Sequence, residues 1–218
     1  MQSPGKFALL LFILAMAASF LYLGVFALAL EKLGLSSHTA MLLFTTMLLG
    51  SGINLPLFRI DAQAPADDEP SPFAGLLPGR TMPFTGKTII AVNLGGALIP
   101  AAFSIYLAAS NRLSLVTLAF AIVIVASICY LASRPIRGIG IGMPIFVAPL
   151  ASALTAILLD PSASAPLAYV CGTLGVLVGA DLMHMKDFRK LGVPVASIGG
   201  AGTFDGIFLA GVIAVLLT

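Results

Sequence analysis

The stretch SIGGAGTFDGIFLAGVIAVLL, residues 197–217, is almost entirely apolar or glycine, yet Asp205 stands in its middle. Taken as a helix, it is the last of a series of hydrophobic runs, and that reading decides the fold. The chain has 218 residues, 59% of them hydrophobic and only 9% charged, where soluble domains carry roughly 25% charged residues. A helix needs about 20 apolar residues to cross a bilayer, and seven such runs are expected, at residues 7–30, 38–57, 88–109, 113–132, 140–159, 164–182 and 194–217. With no strand-length alternation read between them, the expected fold is all-α. It is a polytopic transmembrane bundle forming a single membrane domain over residues 1–218, placed in the cell (inner) membrane with the lipid bilayer around it.

Charge fixes the expected orientation, because excess Lys and Arg stay on the cytoplasmic side. With the N-terminus inside, nine of them fall in cytoplasmic segments and two, Lys32 and Arg112, in outer ones. The expectation is a cytoplasmic N-terminus and an outside C-terminus. The first run, residues 7–30, exceeds the roughly 7–15 apolar residues of a signal core and is expected to be retained. Residues 59–87, rich in Pro, Ala and acid, are expected to form a flexible cytoplasmic linker. A net charge of +2 is too small to argue for a nucleic-acid partner. The chain has no CxxC or HExxH and no phosphate-cradling glycine fingerprint, so neither a metal nor a cofactor is expected. Cys129 and Cys171 fall within hydrophobic runs and are expected to act as small apolar residues.

Glycine and proline interrupt several runs: LLGSGINLPLF (48–58), NLGGALIPAAF (93–103) and RPIRGIGIGMPIFVAPL (134–150). Such breaks free backbone groups that neighbours must satisfy, and they can line a substrate or ion site. Small residues also let helices approach closely, which is the expected use of the pairs Gly175/Gly179 and Gly202/Gly206.

Of nine carboxylates, only Asp181 and Asp205 lie within hydrophobic sequence. An acid at membrane depth costs about 2.5–3.5 kcal/mol on insertion scales, so it must be neutral, paired or facing a cavity. Residues 194–203, PVASIGGAGT, make a poor helix. If they are extended or kinked and Thr203 caps the final helix, Asp205 comes to the same end as Asp181. Two carboxylates sharing one site titrate apart, so one donates a proton while the other activates water. Asp181 and Asp205 are therefore the candidate catalytic residues. Gly200, Gly202 and Thr203 support them, and Asn54 and Asn93 supply polar groups nearby.

GAGTFDGIFLAGVIAVLL resembles the second active-site helix of the GxGD-type intramembrane aspartyl proteases: presenilin, signal peptide peptidase, and the prepilin and preflagellin peptidases. Gly200, Ala201 and Gly202 match the glycine part. The resemblance implies that Asp205 and Asp181 form a catalytic pair acting on a membrane-helix substrate. Thr203 and Phe204 separate the glycines from the acid, and Gly179–Ala180–Asp181 stands where the eukaryotic members have Tyr-Asp. Taken together, GSGINLPLFRI, AVNLGGALIP, RPIRGIGIGMP, GTLGVLVGADL and SIGGAGTFDGIFLAG resemble an uncharacterised family of prokaryotic polytopic membrane proteins, a domain of unknown function. That likeness implies a family and no activity. Three readings stay open: an aspartyl intramembrane protease, a small-solute or ion transporter or channel using the same acids as a cation or proton site, and a non-catalytic structural membrane protein.

Overall fold

Glycine, proline and short polar caps cut the hydrophobic runs into pieces. The structure, a computed structural model, describes residues 24–25, 28–63, 86–138, 140–200 and 207–218. Helix α1 (Ser37–Ser51) starts at Ser36, whose hydroxyl accepts the Thr39 amide, the usual way a first helical turn satisfies an orphan donor. It is followed by strand β1 (Asn54–Asp61), which pairs antiparallel with β2 (Lys87–Asn93). Pro56 lies on this edge strand, where a missing amide is tolerated, and a bulge follows it. A π-helical turn, Leu94–Leu98, leads into α2 (Ile99–Ser110), with Pro100 in its first turn.

Helix α3 (Leu115–Ala132) comes next, then a hairpin of β3 (Arg134–Ile136) and β4 (Gly140–Gly142). Helix α4 (Val147–Leu159) passes through the short 3-10 turn Pro161–Ala163 into α5 (Ser164–Val176). A second π-helical turn, Leu177–Leu182, and a 3-10 turn, Asp187–Lys190, precede β5 (Val195–Ile198). Strand β5 pairs parallel with β2, completing the sheet order β1-β2-β5, and α6 (Ile207–Leu217) ends the chain.

This overturns the all-α bundle of seven spans. The described residues hold five strands in two sheets, and among them only two helical runs, Leu115–Ala132 and Pro161–Leu182, are long and apolar enough to cross a membrane. The runs at 38–57, 88–109, 140–159 and 194–217 each contain a strand or part of one, and among the described residues their α-helices have 15, 12, 13 and 11 residues. The orientation counted over seven crossings falls with them. The proposed linker is also shorter, since Arg59–Asp61 and Lys87 lie in paired strands; residues 64–85 and most of the first run lie outside the described residues. The physical reason is that hydropathy scores composition and not conformation. Gly and Pro stop helices, while β-branched pieces such as Thr88-Ile89-Ile90 and Val195 fit a pleated surface.

Two cores result. In the helical one α5 is central, with every residue from Pro166 to Thr173 buried, and α2, α3, α4 and α6 pack around it. A Cβ added at Gly175 would reach the Val125 side chain, and one at Gly179 would fall on the Ala126 carbonyl, so this pair serves the close helix packing expected of it. Gly202 and Gly206 lie outside the described residues. The second, smaller core joins Ile90, Ala196 and Ile198 of the sheet to Phe188 and Leu191 beneath it.

Asp160 closes α4 and caps the 3-10 turn after it. Its carboxylate accepts the Ser162 hydroxyl at 2.6 Å and the Ala163 amide at 3.2 Å. The Ser162 hydrogen bond, the largest influence, helps hold its pKa below the ordinary carboxylate range. A depressed native pKa means that this contribution is complete near neutrality and is lost as pH falls through the lowered value. Asp160→Ala is expected to cost about 1 kcal/mol in detergent unfolding at pH 7, with a smaller difference from the parent chain once both are acidified.

Candidate polar site at the junction of sheet and helix

Asn93, the last residue of β2, organises the junction. Its Nδ2 donates to the Ser51 carbonyl at 2.7 Å and to Asn54 Oδ1 at 3.0 Å, and its Oδ1 accepts the Gly96 amide at 2.7 Å. Every hydrogen of the buried amide is thus used, which is how such a group avoids the cost of lost water. The strand register explains the pairing, because Asn54 and Asn93 stand directly opposite each other. Asn54 Oδ1 accepts a second bond, from the Ser197 hydroxyl on β5, at 2.5 Å. One oxygen therefore ties all three strands of the sheet together.

The helix contributes Asp181. It lies in the π-helical turn at the end of α5, and its carboxylate accepts the Gly199 amide at 2.7 Å. Gly199 has φ of 82°, a left-handed conformation that glycine adopts without the penalty of a side chain. Its close neighbours are equally demanding: a Cβ added at Gly96 would fall on the Gly199 carbonyl. The two glycine turns interlock, and the Asp181 carboxylate is fastened to one of them.

Beside this junction is a cavity of about 270 Å3, with Asn54, Asp181, Ser197 and Gly200 among its polar or backbone lining and Ile141 and Phe188 among its apolar walls. Of the residues singled out from the sequence, Asp181, Asn54 and Gly200 share this cavity, and Asn93 supports Asn54 from behind. Asp205, Gly202 and Thr203 lie outside the described residues. The extended alternative for the start of the last run agrees with strand Val195–Ile198. Ser197 and Gly199 escaped the sequence reading. The paired glycines 199–200 signal a turn, while Ser197 carries no local signal. Among the described residues no group of three or more His, Cys, Asp or Glu converges as a metal site.

His184 follows the turn that carries Asp181. Its Nδ1 lies 3.2 Å from the Gly179 carbonyl and 3.1 Å from that of Ala180, and its ring packs on Tyr130 with centroids 4.7 Å apart. Both partners are acceptors, so Nδ1 carries the hydrogen. It satisfies carbonyls that the end of the helix leaves open. His184→Leu is expected to destabilise the protein by about 1–3 kcal/mol in detergent unfolding, with His184→Asn milder because it retains a donor.

The geometry defines a helical protein with two small sheets and a carboxylate-bearing polar cavity where sheet and helices meet. The chain belongs to the DUF1614 family, described as "Protein of unknown function", which matches residues 48–217. No curated protein matches it, and no solved structure does.

Proposed function

We propose that the chain is a multi-pass protein of the cell membrane that hydrolyses a membrane-helix substrate by aspartyl chemistry, with Asp181 and Asp205 as the acid pair. The membrane reading is supported by α3. Of its 18 residues only Ala121, Val125, Ala126 and Cys129 are buried, while Leu115, Val116, Phe120, Val123 and Leu131 are well exposed. An apolar face that long is unfavourable in water and natural in lipid.

The observation that carries the hydrolytic reading is the hydrogen bond from Gly199 to Asp181. It fastens the acid of one segment to the glycine junction that leads, six residues on, to the acid of the other. The cavity beside it has room for a substrate group and water. In this reading one carboxylate holds the proton and polarises the amide carbonyl. The other removes a proton from the attacking water, and the pair then passes a proton to the leaving nitrogen. Asn54 and Ser197 position the substrate.

A second reading, a cation or proton carrier, is favoured by the oxygen in the lining: the Asp181 carboxylate with the hydroxyl oxygen of Ser197. Hard cations take oxygen ligands of this kind. Reconstitution separates the two. Purified protein in proteoliposomes is expected to cleave a membrane-helix reporter, and Asp205→Asn is expected to lower turnover by about 100-fold or more. Unchanged cleavage in that variant rejects the pair. Absence of cleavage together with pH-gradient-driven flux that Asp181→Asn abolishes establishes the carrier.

A further inference from the structure

A second cavity, of about 450 Å3, opens between α2, α3 and α5. Its walls are apolar, with Ile105, Ala108, Leu118, Val170 and Leu174 among them. The Ser104 hydroxyl in the wall is buried and donates to the Pro100 carbonyl at 2.9 Å, so its hydrogen is already engaged. Arg112 is the charged group of the lining. It is exposed, and among the described residues it forms no salt bridge. Its backbone has φ of 51°, in the left-handed position at the end of α2 that glycine or asparagine usually fills. Among the described residues the guanidinium has no ion-pair partner, and the flank of the groove is α3, the helix with the long exposed apolar face.

A groove of this volume falls within the roughly 300–1,000 Å3 range of ligand pockets. Its chemistry is divided: apolar walls whose one hydroxyl has its hydrogen engaged, and one cation, without an ion pair among the described residues, of the kind that can fork onto phosphate oxygens. We propose that it is a binding site for a single anionic phospholipid, with one acyl chain along α2 and α5 and the phosphate of the headgroup on Arg112. The site rests on the membrane reading and is independent of the acid pair.

Native mass spectrometry of the full chain in detergent tests it, with phosphatidylglycerol and phosphatidylcholine of identical acyl chains titrated separately. The parent protein is expected to retain one phosphatidylglycerol with about tenfold preference over phosphatidylcholine. Arg112→Gln, an exposed change, is expected to bring the two lipids level. Ala109→Trp, which adds bulk at the exposed rim of the groove, is expected to displace both. Melting temperatures in detergent identify variants that retain the fold. Persistence of the phosphatidylglycerol preference in folded Arg112→Gln overturns the headgroup assignment, and undiminished lipid retention in folded Ala109→Trp overturns the groove. Equal retention of the two lipids by the parent chain overturns the proposal as a whole.

Discussion

Gly96→Ala is expected to destabilise the protein by about 3 kcal/mol and, with it, to cut turnover of the membrane-helix reporter. The added methyl would land on the Gly199 carbonyl and lie 3.2 Å from Asn93 Oδ1. Neither neighbour is the loose end of a flexible side chain. Gly199 is held in a left-handed turn, and Asn93 is fixed by three hydrogen bonds. Relief therefore means moving the turn that donates to Asp181. Gly138 serves as the control. It too has positive φ, 74°, but nothing lies within 4 Å of an added Cβ. Gly138→Ala is expected to cost only the backbone penalty of about 1–2 kcal/mol and to leave turnover of the surviving folded protein unchanged. Equal stability losses in the two variants, with equal turnover, would show that the glycine interlock does not support the site.

Asp181→Asn is the second large effect, and it separates activity from stability. The amide oxygen of asparagine can still accept the Gly199 amide now held at 2.7 Å, and it removes a charge that is costly to keep where few partners solvate it. Unfolding in detergent is expected to stay within about 1 kcal/mol of the parent or to rise. Turnover is expected to fall by about 1,000-fold, because an amide neither gives nor takes the proton the reaction needs. Strong destabilisation with proportionate loss of turnover would instead make Asp181 a structural acid.

The sequence made Asp181 conspicuous because an acid inside apolar sequence demands a partner or a cavity, and the Asp181 carboxylate has both. It also marked the start of the last run as a poor helix, and β5 lies there. The sheet itself was hidden. Leu-Pro-Leu-Phe in β1 and Thr-Ile-Ile-Ala-Val in β2 are as apolar as a membrane helix, so a hydropathy window runs through them without a break. What separates them from helix is pairing, and pairing is a relation between distant residues. Asn54 faces Asn93, and β5 reaches β2 from the far end of the chain. No local pattern encodes that register. Ser197 was missed for the same reason, since its role depends on Asn54 across the sheet. From sequence, Asn93 is only a polar group near the acid pair. In the structure it bridges a strand end to the end of α1 and the first turn of the next helix. The chemistry of the amide was legible, but not its partners.

The central claim is that Asp181 and Asp205 act together on one water. The most direct measurement is binding of a peptide analogue in which a tetrahedral hydroxyl group replaces the scissile carbonyl, since an enzyme holds a mimic of its transition state far more tightly than its substrate. Calorimetry in detergent is expected to give tight binding to the parent chain and a loss of about 100-fold or more in affinity in Asp181→Asn and Asp205→Asn alike. Binding by Asp205→Asn at the parent's affinity would contradict the account, leaving Asp181 as the acid of a solute or cation pocket.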